Sequence, residues 1–380
     1  MDFRLTEEEL ELQQMYRSFT NSVIRPVASE VDQEDKFPYE VWEKMGETGL
    51  LGIVVPEEYG GSGGSYMSYT LAVEETAKAS GAIAQFISGQ NCNFCLPIMN
   101  YGTQAQKEKY LVPLATGDKH GAFVLTEPGS GSDAGGMRTK AVQEGDHYVI
   151  NGTKTFITGA DIADIFVAFI LCADETGEFK PACFILEKGC PGLIVGKREH
   201  KMGMHATGLC EVVFDNCIVP RENMLGPIGE GFHIAMSTLD AGRLGIAAVC
   251  VGMAQEAIDL TIKYTRERMQ FGKRISQFQN TQFVLAELQT KVNAGRLLTY
   301  QAAWALDHGE PASHLASMAK LFTSDVVNVA ARACLQLFGG YGYINEYPIE
   351  HIFRDAKVTE IFEGTSEIQK IIISKWMGVR

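Results

Sequence analysis

Residues 346–369, EYPIEHIFRDAKVTEIFEGTSEIQ, place one carboxylate, Glu363, at a bend just ahead of a helical pattern. Ile361 and Phe362 before it are apolar, and Gly364 after it lets backbone approach a ligand closely. A carboxylate in that setting is partly dry. Desolvation raises a carboxyl pKa, which moves a glutamate toward the range of a working base near neutral pH. Thr365 then offers a capping hydroxyl ahead of Ile368, Ile371 and Ile372, so Glu363 adjoins a helix N-terminus. Such an end carries unpaired N–H groups suited to phosphate. The pattern therefore reads as a base beside an anion-binding helix start. The plain alternative is a solvated glutamate in a loop, since most carboxylates are surface groups.

A chain of 380 residues has ample core and favours roughly two or three domains. Hydrophobic residues at 46% and charged residues at 21% are ordinary for a globular enzyme. The net charge of −14 argues against a nucleic-acid or anionic-membrane role, which needs a basic face. The N-terminus, MDFRLTEEELELQQ, is acidic and amphipathic, unlike a signal or transit peptide. No apolar run is expected to span a membrane; IADIFVAFILCA at 162–173 comes nearest and carries Asp164. Nine cysteines spread through the chain point to reduced thiols in a cytoplasm rather than to a disulfide framework.

Residues 1–120 read as a helical domain. Thr6 to Glu9 form a capping box, followed by Leu12, Met15, Tyr16, Phe19 and Val23 at helical spacing. Pro38 opens a second helix through Val41, Trp42 and Met45, ended by Gly49. After the loop PEEYGGSGGS, 56–65, come helices over about 65–80, 86–101 and 104–114. Over 121–225 the signal is strand-like, in runs at 148–158, 165–173, 182–189 and 210–219, with Asn151-Gly152 read as a hairpin turn. From GPIGEGF, 226–232, to residue 380 the pattern is helical, with long segments over 231–266, 276–308 and 313–337 that suit an antiparallel bundle extended by self-association.

GSGSDA at 129–134 fits a dinucleotide fingerprint only superficially, because strand pattern rather than a helix follows it. Read as FVLTEPGSGSDAG, 123–135, it is a Gly/Ser loop that offers N–H groups to a carbonyl, a ring edge or a phosphate. Phe156-Ile157-Thr158 ends a strand and could cover a flat heterocycle and bond its edge. Arg268, at the end of a long helix, could pair with phosphate, and Gly339-Gly340 permits close backbone approach. Cys92 and Cys95 form a single CxxC without further ligands at metal spacing, so buried thiols are favoured over a metal or redox site.

Taken together, LTEPGSGSDAG (125–135), NGTKTFIT (151–158), RERMQFGKR (266–274), QLFGGYGY (336–343) and the opening stretch resemble the acyl-CoA dehydrogenase family along essentially the whole chain. The resemblance implies an N-terminal helical domain, a middle β-barrel, a C-terminal four-helix bundle, and a homotetramer binding FAD. By that likeness Phe123, Leu125, Thr126, Gly131, Ser132, Phe156, Ile157 and Thr158 meet the flavin. Arg268, Phe271, Phe278, Gln279, Gln336, Leu337, Gly339 and Gly340 serve the nucleotide side from a neighbouring subunit, and Thr365, Ser366 and Glu367 meet the pyrophosphate. Ser132, Asp240, Arg243 and Gly364 match positions at the acyl-CoA substrate.

The chemistry so implied is α-proton abstraction by Glu363, with hydride transfer from the β carbon to flavin N5 and electrons passed on to electron transfer flavoprotein. The Glu363 N–H and a ribityl hydroxyl would stabilise the enolate. Some relatives carry the base in the segment matching LDAGR, 239–243; here that position is Gly242, which leaves Glu363. Phe156 and Phe362 replace a frequent Trp and Tyr, Glu367 a frequent Gln, and His351 a frequent Arg. SGQNCNFCLPIM, 88–99, falls where the acyl chain would end. Its Gln90, Asn91 and Asn93 either face away or make a polar-ended pocket for a short or functionalised acyl group. The expectation is a short-chain acyl-CoA dehydrogenase. The alternatives are an enoyl-CoA reductase, a non-catalytic flavin or acyl-CoA scaffold, and an oxidase on the same fold.

Overall fold

A computed structural model describes residues 4–379; the first three residues of the N-terminal peptide, and Arg380, lie outside it. Helix α1 (Glu7–Phe19) starts with the expected capping box, Thr6 Oγ1 accepting from Glu9 N at 3.2 Å while Thr6 N donates to Glu9 Oε2 at 2.7 Å. Then come α2 (Ala28–Glu34), α3 (Tyr39–Glu47) and α4 (Tyr66–Ala77). The helix expected over 86–101 begins earlier, as α5 (Gly81–Ser88), because Ser80 Oγ caps Ile83 N at 3.2 Å. It is then broken by a π-helical turn, Gly89–Cys95, before α6 (Leu96–Tyr101). The segment expected over 104–114 is α7 (Gln104–Gln106), a second π turn, and α8 (Val112–Thr116).

The middle of the chain holds β1 (Gly121–Val124), β2 (Lys140–Glu144), β3 (His147–Thr158), β4 (Ile165–Ala173), β5 (Phe179–Glu187), β6 (Leu193–Arg198), β7 (Leu209–Pro220) and β8 (Met224–Leu225). The expected barrel is an eight-stranded sheet instead. Its order is β6-β7-β3-β2-β4-β5-β8, with β1 parallel to β4, and among the described residues no pairing joins β6 to β8. The helix that follows β8 packs against β5. Gly231, which starts the helix after β8, lies so near β5 that a Cβ there would come within 2.5 Å of the Ala182 backbone. Asn151-Gly152 is not a hairpin turn. Both lie inside β3 at a register shift, where Thr139 fills the space a Cβ on Gly152 would need. The true β2–β3 turn is at Gly145, with φ +65° and Glu144 paired to His147.

The C-terminal third is α9 (Gly231–Glu267), α10 (Gln279–Asp307), α11 (Ser313–Phe338), α12 (Ile349–Ala356) and α13 (Ser366–Trp376). Helix α9 is the central element, packed against α4, α10 and α11. It is long and apolar enough to cross a membrane, with mean hydropathy 1.5, so the run at 162–173 is not the nearest candidate; but 83% of the apolar window is buried inside the protein. Its apolarity serves the core. Arg354 of α12 fastens the last third to the first, donating to Asp32 Oδ1 of α2 at 3.0 Å and to Glu350 Oε2 at 2.7 Å.

The loop after β1 is tied to β3 by a buried ion pair. Lys154 has no exposed surface; its Nζ donates to Leu125 O at 2.8 Å and lies 3.0 Å from Glu127 Oε1. Glu127 also accepts from Arg138 N at 2.6 Å and Thr139 N at 3.0 Å. Removing one partner of a buried pair strands the other charge. Lys154→Met is therefore expected to destabilise the protein by about 3–5 kcal/mol in urea unfolding; a loss below about 1 kcal/mol, the scale of an exposed pair, would show that the tie is dispensable.

Candidate active site

Glu363 and Gly364 are consecutive left-handed residues, with φ +54° and +89°. That conformation costs a side-chain-bearing residue about 1–2 kcal/mol and persists only where the surroundings over-determine it. Here three side chains hold the bend. Glu363 O accepts from Gln369 Nε2 at 3.2 Å and from Arg243 Nε at 3.4 Å. Gly364 O accepts from Lys320 Nζ at 2.7 Å and from Gln369 Nε2 at 2.8 Å. Thr365 caps α13, its Oγ1 accepting from Ile368 N at 3.3 Å, as the sequence predicts. Gln369 lay in the opening stretch but carried no signal beyond helical position. Nothing around Lys320 marks it, yet it is fully buried, and burial pushes its ammonium down to about 8.

The bend turns the Glu363 side chain inward. Asn93, on the π turn, donates from Nδ2 to Glu363 Oε1 at 2.6 Å, and Oε2 is buried without a partner. Burial pushes the carboxyl above the ordinary glutamate range, against the Asn93 hydrogen bond and the nearby Arg243 and Lys320 cations. Gly242 of α9 faces this carboxylate so closely that a Cβ would fall 2.8 Å from Oε2. A side chain at that position would have to displace the tips of Glu363 and Asn93.

Glu363 opens on a cleft of about 900 Å³. Phe123 lines it from β1, Leu125, Thr126, Gly131 and Ser132 from the loop after β1, and Phe156, Ile157 and Thr158 from the end of β3. Arg243, Phe362, Gly364 and Thr365 complete the wall around the carboxylate. Phe156 is itself left-handed, at φ +57°, and its side chain stands 63% exposed. Apolar surfaces with a few hydroxyls and a capped helix start suit a flat heterocycle that carries phosphates. The cleft also holds an aromatic group that the sequence did not single out: Phe37, Trp42 and Phe86, with His120 stacked on Trp42 at 4.1 Å between ring centroids. Of the polar residues at 90–93, two turn to backbone. Gln90 donates to Leu114 O and Lys119 O, and Asn91 to Leu50 O and Ile87 O.

Asp240 is bound to Arg243 Nη1 at 2.6 Å and accepts from Ser313 Oγ at 2.9 Å, and Ser366 and Glu367 form the first turn of α13. The remaining sequence candidates stand away from this cleft. Arg268 caps the end of α9 with its guanidinium over the Tyr341 ring, 5.2 Å from the centroid. Phe271 sits between the short strands β9 (Met269–Gln270) and β10 (Lys273–Arg274), 92% exposed. Phe278 and Gln279 lie at the start of α10, and Gln336, Leu337, Gly339 and Gly340 at the end of α11. None of them lines the cleft of its own chain. Among the described residues no group of three or more His, Cys, Asp or Glu side chains could hold a metal.

Family models match consecutively along the chain: the acyl-CoA dehydrogenase N-terminal domain at 6–118, its middle domain at 122–217 and its C-terminal domain at 229–378. The chain is 46% identical to the short-chain specific acyl-CoA dehydrogenase of Clostridium acetobutylicum, over 98% of this chain and 99% of that one. It is 43% identical to the caffeyl-CoA reductase–Etf complex subunit CarC of Acetobacterium woodii, over 95% and 98%. It superposes on the butyryl-CoA dehydrogenase structure from Megasphaera elsdenii with a TM-score of 0.96 at 41% identity, covering 100% of both chains. With near-complete coverage at these identities, and the cleft and carboxylate in place, this chain belongs to the acyl-CoA dehydrogenase family.

Proposed function

We propose that the protein removes hydrogen across the α and β carbons of a short acyl-CoA thioester, giving the trans-2-enoyl-CoA. One observation carries the assignment of the base: Glu363, dry and with Oε2 unpartnered, faces a cleft formed by the Gly/Ser loop and Phe156 to Thr158. Glu363 takes the α proton, and its own backbone N–H is a donor for the thioester oxygen as enolate character develops. Asp240 and Arg243 position the acyl-CoA, while Ser132 and Gly364 meet it at the reacting end. FAD, the cofactor of this family, supplies when bound the two-electron acceptor for the hydride leaving the β carbon. Its fit rests on the apolar cleft walls, the hydroxyls of Thr126 and Thr158, and the capped start of α13 at Thr365, Ser366 and Glu367.

The division into 1–120, 121–225 and 226–380 follows the change from helix to sheet and back. Assembly as a homotetramer is supported by large apolar side chains left exposed on the helical third: Phe271, Phe283, Trp304 and Tyr343. In it Arg268, Phe271, Phe278, Gln279 and the turn at Gln336 to Gly340 would serve the nucleotide end of a neighbour's cleft. A mass near four times 41.7 kDa is expected by light scattering, and a stable monomer would remove that role. Nine thiols, none in a disulfide, suit a cytoplasmic setting. Electron transfer flavoprotein is the proposed electron partner, supported by the relative from a reductase–Etf complex. That relative also favours a second reading, in which the same residues work in reverse and Glu363 returns the proton to the α carbon of an enoyl-CoA.

Glu363→Gln should keep FAD and bind acyl-CoA, yet slow anaerobic bleaching of the flavin by at least about 100-fold; near-normal bleaching would remove Glu363 from the base position. Glu363 keeps its proton to a higher pH in the folded chain than in the unfolded one. The native state therefore binds more protons between the two pKa values, and stability falls as pH rises through that window. Glu363→Gln should accordingly gain about 1 kcal/mol in denaturant unfolding at pH 8, shrinking toward zero below the unfolded pKa. Equal gains at both ends of the range would rule out the carboxylate as the source.

A further inference from the structure

We infer that Asn93 is a positioning residue for Glu363: its amide claims Oε1 and so leaves Oε2 as the atom that takes the substrate proton. The inference rests on the base reading above. Asn93 shares the π turn at Gly89–Cys95 with Gln90 and Asn91 but differs from them in what it binds. The wider turn rotates the residues after α5, and such insertions recur at functional sites. Gln90 and Asn91 spend their amide N–H groups on backbone carbonyls, whereas Asn93 Nδ2 reaches a carboxylate 270 positions away in the chain, at 2.6 Å. An amide N–H donates more strongly to an ionised oxygen than to a neutral one, so the bond favours the anion over the acid. Asn93 Oδ1, like Glu363 Oε2, is buried without a partner, and both face Gly242, where a Cβ would sit 2.9 Å from one and 2.8 Å from the other. The free edge of the carboxylate is thereby kept clear of protein donors.

Other titratable groups bear on this carboxylate. Arg243, paired with Asp240, comes from α9, Lys320 from α11, Tyr69 from α4 and Cys92 from the π turn itself; Glu360, in the turn ahead of the bend, acts on Lys320. Burial pushes Cys92 up to about 12 and Tyr69 well above its usual value, so both stay neutral. Burial pushes Lys320 down to about 8, so its titration must be kept separate from that of Glu363 in any pH profile.

The test follows the Glu363 carboxyl directly, by infrared difference titration of the FAD-loaded protein against Glu363→Gln, alongside anaerobic bleaching with butyryl-CoA. Asn93→Leu should keep FAD and acyl-CoA affinity, move the carboxyl titration and the rising limb of bleaching to higher pH, and slow bleaching at pH 6 by about tenfold. The loss should be smaller at pH 9, and the limb belonging to Lys320 should stay in place. Asn93→Asp, nearly isosteric, should move the same limb further up, because two carboxylates at that distance resist joint ionisation. An unmoved titration in Asn93→Leu would overturn the inference, and if that variant fails to fold, an unmoved limb in Asn93→Asp does so. Bleaching at the normal rate in Glu363→Gln would instead overturn the base reading beneath it. A silent Glu363→Gln together with an unshifted Asn93→Leu sinks the positioning role alone.

Discussion

The structure depends on a bend the backbone would not choose unaided. Two left-handed residues in succession swing the Glu363 side chain out of the path of the chain and into the cleft. The strain is met by donors from three elements: Arg243 on α9, Lys320 on α11 and Gln369 on α13 each bind a carbonyl of the bend. Two of those donors are cations that also face the carboxylate, so the groups that hold its backbone temper the desolvation of its side chain. Conformational strain, burial and charge are thus coupled at one residue, as preorganised sites require.

The opposite wall of the cleft is rigid for a different reason. Within the Gly/Ser loop Glu127 and Ser130 exchange one pair of backbone hydrogen bonds, which does not by itself fix the loop against the sheet. Glu127 closes it by accepting two backbone N–H groups from 138–139 while pairing with Lys154, and Lys154 in turn binds Leu125 O. One buried ion pair therefore fixes the loop against the strand that ends in Phe156 to Thr158. The Arg354 clamp between α12 and α2 steadies the chain that leads into the Glu363 bend.

Much of the site was legible where chemistry and chain proximity coincide. Thr365 as a cap, the glycine after Glu363 and the strand ending at Thr158 follow from local preferences, and each lies where its residue type predicts. The errors came where packing overrides local propensity. Asn151-Gly152 has hairpin chemistry, yet the glycine is required by Thr139 across the sheet. The strand-rich middle segment reads equally as a barrel or an open sheet, because alternation records which face is buried and not whether the edges meet. Helix α9 has the apolarity of a membrane span because it is surrounded by other helices.

By itself the sequence determined the order of helical, sheet and helical segments, the family, and Glu363 as the carboxylate at the centre. All of these are written in residue types and in spacings of a few positions. The tertiary structure alone decided that Asn93, 270 positions upstream, would hold one oxygen of that carboxylate, and that Gly242 would stand over the other. It also decided that Lys320 and Arg243 would secure the bend. These are contacts between elements far apart in the chain. Short-range patterns carry no record of them, because they exist only once the helices have packed.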